Sequence, residues 1–139
     1  MKALTISQPF AQMIADGTKW IENRVWPTSY RGPIAIHAGA GTQYLSKEQL
    51  AEYPIGMVIA VADIVACQKM TAIEACGWGL SAQALIPGTQ ITFEQAYQHP
   101  HCEGPWCWIL SNVRKVKPVK ATGRQRLWNL PPNLEIWHE

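Results

Sequence analysis

The stretch from Asp16 to Trp26 constrains the fold most, because it predicts where a helix ends and a strand begins. A short helical pattern runs out at Gly17, a residue that enters the left-handed backbone region without a steric penalty. Side chains alternate between the two faces of a strand. One face of the predicted strand therefore carries four residues: Trp20, Glu22, Arg24 and Trp26. A carboxylate and a guanidinium between two indoles, with Lys19 at the hinge, indicate the floor of a polar pocket.

The length and composition predict one globular domain over residues 1–139. The 139 residues are 47% hydrophobic and 16% charged, which is ordinary for a chain with a core of its own. The N-terminus is polar within seven residues, and no apolar run approaches the roughly 18 residues of a membrane span. We therefore expect a cytoplasmic protein without a membrane segment. Its four cysteines, Cys67, Cys76, Cys102 and Cys107, should then be reduced thiols.

The positive charge is concentrated near the C-terminus. No acidic residue occurs from Ser111 to Leu134. Half of the twelve lysines and arginines lie there: Arg114, Lys115, Lys117, Lys120, Arg124 and Arg126. A local positive field of this kind favours an anionic partner, with nucleic acid the leading candidate. The alternative is a solvated basic edge strand, since lysine and proline also keep strand edges from pairing with other chains.

The remaining pattern predicts five or six strands interspersed with short helices. Strands are expected at 3–6, 34–38, 57–66 and from 106 towards 116, with a last short strand near Trp128. Ser7 is the expected cap of the first helix. Capping-box patterns predict further helices after Ser46, Thr71 and Thr92. Strands and helices do not alternate regularly, so the sequence predicts an α+β domain built on a mixed sheet or small barrel.

Several segments, in the same order along the chain, resemble a known family. The motif Gly-x-Lys-x-x-Glu-x-Arg stands complete between Gly17 and Arg24. Upstream lies Leu-Thr-Ile-Ser-Gln-Pro at 4–9, and downstream lie Tyr30–Ala38 and Gly-x-x-x-Leu-Trp at 123–128. Together they resemble an ASCH domain (activating signal cointegrator homology) of the PUA-like superfamily, in its cointegrator-like subgroup. The resemblance implies an α+β, PUA-like small mixed β-barrel with flanking short helices and a cleft over the motif. It also implies RNA or nucleotide-like ligands.

The candidate ligand-binding residues come from the motif, its neighbours and the basic segment. They are Gln8, Lys19, Trp20, Glu22, Arg24, Trp26, Tyr30, Arg31, His37, Arg124 and Gln125. Cations suit phosphates, aromatic rings stack on unpaired bases, and the Gln8 amide suits base edges. Each has a structural alternative. Glu22 and Arg24 could simply pair with each other, the tryptophans could be core residues, and His37 could be a satisfied structural histidine.

Two function classes follow from these residues. The first is a module that binds RNA, single-stranded DNA or a nucleotide. The second is a hydrolase of RNA or a modified nucleoside, with Lys19, Glu22 and Arg24 as catalytic residues. One branch of the family resembles an acylcytidine amidohydrolase with a threonine nucleophile, but Glu22 occupies the corresponding position. No cofactor is predicted, and no metal is predicted because the spacing of His99, His101, Cys102 and Cys107 lacks the paired pattern of zinc sites.

Overall fold

The computed structural model describes all 139 residues. The strands are β1 (Lys2–Ile6), β2 (Ile21–Arg24), β3 (Gly32–Ala38), β4 (Met57–Lys69), β5 (Trp106–Lys120) and β6 (Leu127–Asn129). The helices are α1 (Phe10–Ala15), α2 (Lys47–Glu52), α3 (Met70–Gly77) and α4 (Phe93–Gln98). The strands follow the order β2-β5-β4-β3-β1-β6 in one sheet. Because β1 is parallel to β3 and antiparallel to β6, the sheet is mixed, as predicted.

The chain packs as two compact units, and the first holds both termini. It comprises residues Met1–Lys19, Pro33–Asp63 and Asn112–Glu139. Its core contains Ala3, Ala35, Val58, Val61, Val116, Trp128 and Leu130. The parallel register of β1 and β3 sets Thr5 opposite His37, while the antiparallel register of β1 and β6 sets Ala3 opposite Trp128. Strand pairing therefore brings together three side chains that are far apart in sequence.

The second unit comprises Trp20–Gly32 and Ile64–Ser111. Its core contains Ile21, Ala66, Ile73, Ile86, Ala96, Cys107 and Ile109. Strand β2 pairs antiparallel with the first part of β5, so that Glu22 lies opposite Trp108 and Arg24 opposite Trp106. The consecutive residues 107–110 of β5 are all buried, which means that both faces of the strand are covered there. The prediction of a single domain over residues 1–139 stays a prediction.

Two of the four predicted helix caps are confirmed. Ser46 and Thr92 each accept the backbone N–H of the glutamine three residues on, and that glutamine binds back to the cap residue. The third cap was wrong, because β4 runs on to Lys69 and α3 begins at Met70, which leaves Thr71 inside the helix. Ser7 is not a cap either. Helix α1 begins after Pro9 and has no side-chain cap on that residue.

Gly17 has the predicted left-handed conformation, with φ of +83° just after α1. Strand β5 is longer than predicted, because it continues through Pro118 to Lys120. None of the helices has both the length and the apolar character needed to cross a membrane.

Candidate functional site

His37 is the buried polar centre of the first unit. It lies on β3 and is 1% exposed. Its Nε2 lies 2.7 Å from the carbonyl oxygen of Ala121, and its Nδ1 lies 3.2 Å from the hydroxyl of Thr5. A carbonyl oxygen only accepts hydrogen bonds, so Nε2 carries the proton. In the neutral ring Nδ1 is then an acceptor, and it faces the Thr5 hydroxyl as its donor.

Trp128 completes the contacts around His37. The indole Nε1–H donates to the Thr5 hydroxyl oxygen at 3.0 Å. The Trp128 ring also packs edge-on against the imidazole, with centroids 5.5 Å apart. A continuous chain of hydrogen bonds therefore links Trp128 to Thr5, Thr5 to His37, and His37 to Ala121. It joins β6, β1, β3 and the residue that follows β5. Both ring nitrogens of His37 thus have partners in the protein, which agrees with the structural alternative of a satisfied core histidine.

A cavity of about 560 Å³ lies beside this hydrogen-bond chain. That volume falls in the range of small-molecule sites. His37 on β3 and Thr5 on β1 line it together with small residues just after β3 and just before β4, and with the loop that follows β5. The lining residues are Thr5, His37, Gly39, Ala40, Gly56, Ala121, Thr122, Gly123, Arg124 and Gln125. Three predicted ligand-binding residues, His37, Arg124 and Gln125, thus line the same cavity.

A second cavity of about 740 Å³ lies against the same loop. Its lining residues are Thr122, Arg124, Trp128, Asn129, Leu130, Pro131 and Pro132. Thr122 and Arg124 line both cavities. The loop after β5 therefore stands between two concave surfaces, and neither is lined by a carboxylate.

The basic segment divides into neutralised and exposed cations. Arg114 pairs with Asp63 at 3.0 Å, and Lys115 pairs with Asp16 at 3.0 Å. The other four, Lys117, Lys120, Arg124 and Arg126, are exposed. The alternative of a solvated basic edge strand accounts for exposed lysines along β5. It does not account for Arg124, which lines two cavities.

Gln8 and Lys19, the other predicted residues of this unit, are buried. Gln8 has no exposed surface. Its Nε2 donates to the carbonyl of Pro54 at 2.8 Å, and its Oε1 accepts the N–H of Gln12 at 2.8 Å. Gln8 thus stabilises the start of α1. Lys19 is 3% exposed, and its backbone N–H donates to the carbonyl of Met13.

Glu22 and Arg24 form an ion pair in the second unit. Arg24 Nη2 and Nε lie 2.7 and 2.9 Å from the same oxygen, Oε2 of Glu22. The glutamate side chain is 9% exposed and the arginine side chain 24% exposed. The two motif charges are therefore brought together on one face of β2, as the strand pattern predicted. A pair this well covered differs from a surface pair, because its charges are partly removed from water.

The aromatic candidates of the second unit have protein partners. Trp26 packs edge-on against Trp108, with centroids 4.7 Å apart, and Trp20 packs edge-on against His99 at 4.4 Å. The guanidinium of Arg31 donates to the carbonyls of Thr28 and Tyr30. Trp20 also borders a cavity of about 570 Å³ that contains Gln90, Gln95, Gln98 and His99.

The cysteine and histidine cluster does not assemble a metal centre. No group of three or more histidine, cysteine, aspartate or glutamate side chains has the arrangement to hold a metal ion. Cys102 Sγ lies 4.0 Å from Cys107 Sγ and 3.3 Å from Met70 Sδ. The hydrogen bond with Cys107, followed by burial, raises the pKa of the Cys102 thiol above its ordinary value. Burial likewise raises the pKa of the Cys67 thiol.

Comparison with known proteins identifies the family. The sequence model of the ASCH domain matches residues 4–120. The chain belongs to the ASCH domain family. ASCH domains are PUA-like and are associated with RNA binding. A search of curated protein sequences finds no match.

Two solved structures of ASCH proteins from Zymomonas mobilis are similar to this chain. One, described as ASCH, aligns with a TM-score of 0.54 at 14% identity and covers 94% of this chain and 87% of its own. A tyrosine-to-phenylalanine variant of ZmASCH aligns with a TM-score of 0.47 at 16% identity, covering 86% and 74%. At these identities the first alignment bears on the fold alone, and it confirms the predicted α+β, PUA-like fold class.

Sequence reasoning missed the surroundings of His37. Thr5, Gly123 and Trp128 were not among the predicted site residues. The Gly-x-x-x-Leu-Trp segment was the signal that could have found two of them, since it places a glycine and a tryptophan at a fixed distance along the chain. Thr5 had no comparable signal, because only the register of β1 and β3 brings it to the imidazole.

Proposed function

We propose that this ASCH domain binds single-stranded nucleic acid or a nucleotide through the exposed cations of β5 and the loop that follows it. The observation that carries the proposal is the pairing pattern of the basic segment. Carboxylates neutralise Arg114 and Lys115, whereas Lys117, Lys120 and Arg124 are exposed and have no ion-pair partner. These exposed cations suit the phosphates of such a ligand, and the two cavities that Arg124 lines offer room for an inserted base.

The ASCH motif contributes the second part of the proposal. The ligand-binding residues include Lys19, Glu22 and Arg24. In the ion pair, the Arg24 guanidinium supplies hydrogen-bond donors and the Glu22 carboxylate an acceptor, each in a fixed orientation. Both Glu22 and Lys19 are almost fully buried, and a buried ionisable group is retained at a substantial free-energy cost. Trp26 and Tyr30, which follow the motif, are the candidates for base stacking. The association of the ASCH family with RNA binding supports this assignment.

The test is the salt dependence of oligonucleotide binding. A fluorescein-labelled eight-nucleotide RNA and the corresponding DNA are titrated with protein between about 50 and about 300 mM salt, which runs from about threefold below to about twofold above physiological ionic strength. Three neutralised phosphates predict a slope of log K against log salt of about −2, since each contributes roughly −0.7 on a single strand. Salt-insensitive binding, or no binding to either oligonucleotide, contradicts the proposal.

A pair of matched variants locates the binding surface. Lys120→Ala removes an exposed cation of the basic segment, and Lys47→Ala removes an exposed cation from α2 in the same unit. Lys120→Ala should weaken binding and make the salt slope shallower by about 0.7, while Lys47→Ala should change neither. Equal effects of both variants would mean that binding follows net charge alone, without a defined surface.

One observation favours a second function, the metal-independent hydrolysis of RNA or a modified nucleoside. Lys19 and Glu22 lie three residues apart in one motif, and both are buried ionisable groups, which is common at catalytic sites. In this alternative Glu22 is the general base and the cations stabilise developing negative charge. Replacing Glu22 with glutamine should then reduce turnover of a modified nucleoside or RNA by roughly 100-fold or more. Turnover that survives Glu22→Gln rules this mechanism out.

A further inference from the structure

We infer that the four-residue loop Thr122–Gln125, called here the donor loop, binds a phosphate group. The inference rests on the proposed function and specifies it, because it assigns the phosphate of a nucleotide or oligonucleotide to one place in the first unit. The donor loop connects β5 to the turn before β6 and lines both cavities of that unit.

The hydrogen-bond donors of the donor loop have no partners within the protein. None of the backbone N–H groups of residues 122–125 donates to another backbone group. The side chains of Thr122, Arg124 and Gln125 likewise have no hydrogen-bond or ion-pair partner in the protein. By contrast, the N–H groups of Gly39 and Gly56, which also line the cavity, donate to the carbonyls of Ile6 and Ala38. The donor loop therefore contributes four consecutive residues whose backbone N–H groups do not donate within the protein.

The donor loop is also held in place on its inner side. Ala121, just before it, donates its N–H to the carbonyl of Gly56 and accepts from His37 Nε2. At Gly123 the backbone lies so close that a Cβ would be 2.8 Å from His37 Cε1 and 2.9 Å from Thr5 Oγ1. These contacts fix the loop before a ligand arrives, so that little ordering free energy is lost on binding.

The chemistry of the donor loop matches a phosphate. Backbone amides, a guanidinium and a side-chain amide all donate, and a phosphate ester presents oxygens that accept. No carboxylate lines either cavity, so nothing there repels an anion. Arg124 lines both cavities, which allows its guanidinium to bind a phosphate from either one. His37 takes no part as a donor, since its ring nitrogens contact Ala121 and Thr5.

Inorganic phosphate is the direct probe of the donor loop. Titration of ¹⁵N-labelled protein with phosphate at constant pH and ionic strength should shift the amide resonances of residues 122–125 in a saturable way. Arg124→Ala should abolish these shifts, and Lys47→Ala, which removes an exposed cation from helix α2, should preserve them. Arg124 is exposed, so its replacement leaves the fold intact. Saturable shifts that spare the donor loop, or no shifts at all, overturn the inference.

Oligonucleotide binding provides the second probe and identifies the type of phosphate. Arg124→Ala should weaken binding of an eight-nucleotide RNA about tenfold or more, the size of one lost charge-assisted contact. If only the 5′-phosphorylated RNA loses affinity, the loop binds a terminal phosphate, and if the 5′-hydroxyl RNA loses it equally, the loop binds a phosphodiester. RNA binding that ignores Arg124→Ala, together with unshifted amides, refutes the donor loop but not the proposed function. Phosphate shifts without any RNA or DNA binding refute the proposed function and support an anion site.

Discussion

The Nε2–H of His37 donates a 2.7 Å hydrogen bond to the carbonyl of Ala121, the last residue before the donor loop. This bond joins a buried strand to the segment that exposes Arg124. Because both ring nitrogens contact protein groups, we expect His37 to influence ligand binding through the loop that it holds and not by direct contact.

Thr5→Val should reduce the free energy of unfolding by about 1–3 kcal/mol. Valine has nearly the same shape as threonine, but it removes the oxygen that accepts from Trp128 Nε1 and the hydroxyl that faces His37 Nδ1. Urea denaturation measures the change. Thr42→Val on an exposed loop is the control and should change the stability by less than about 0.5 kcal/mol. A variant as stable as the wild type would mean that these hydrogen bonds contribute nothing net.

Gly123→Ala should destabilise the protein by about 1–3 kcal/mol, because the added methyl group overlaps His37 and Thr5 at distances below 3.0 Å. The same displacement should weaken phosphate binding at the donor loop. Gly41→Ala is the matched control, since the nearest atom to its Cβ is the flexible end of the Gln43 side chain. Equal stability of the two variants would contradict the close packing at Gly123.

The ion pairs Glu22–Arg24, Asp63–Arg114 and Asp16–Lys115 should differ in strength according to their exposure. Glu22→Gln should reduce the free energy of unfolding most, by about 1.5–3 kcal/mol, because its partner Arg24 is only 24% exposed. Asp63→Asn should have a smaller effect, and Asp16→Asn, whose pair with Lys115 is half exposed, should cost about 0–1 kcal/mol. Urea denaturation at low and high salt measures the series. Any other order would show that burial does not set the strength of these pairs.

Cys102 should react slowly with iodoacetamide in the folded protein. The hydrogen bond with Cys107 and burial raise the pKa of its thiol above the ordinary value of 9.0, so the reactive thiolate is scarce at pH 8. Peptide mass spectrometry should show alkylation slower by roughly tenfold or more than in urea-unfolded protein. The raised pKa also means that the folded thiol keeps its proton when the unfolded thiol loses it. The contribution of Cys102 to stability is therefore complete below about pH 9 and decreases at higher pH.

Much of the local structure could be predicted from the sequence. The caps at Ser46 and Thr92 and the helix stop at Gly17 depend on residues within four positions of one another, so their chemistry is readable along the chain. Thr71 has the same local pattern, but the prediction that it caps a helix was wrong. Strand β4 continues to Lys69 and α3 begins at Met70, so Thr71 lies inside the helix. Local signals hold where no neighbouring element competes for the same backbone.

The candidate site was predictable in part. The pairing of Glu22 with Arg24 follows from side-chain alternation on one strand, and the charge of the basic segment is visible in its composition. Gln8 was predicted for ligand contact, yet both ends of its amide bind within the protein, at Pro54 and Gln12. Pro54 is 46 residues away in sequence, so no local pattern could reveal that this donor is occupied.

By itself the sequence determined the motif, the strands and helices that carry it, and a cationic segment without carboxylates. Only the tertiary structure decided which of those polar groups meet partners and which do not. The register of β1, β3 and β6 set Thr5, His37 and Trp128 side by side, and Asp63 and Asp16 neutralised two of the cations. The physical reason is that hydrogen bonds and ion pairs act over a few ångströms in space, whereas the partners that satisfy them are tens of residues apart along the chain.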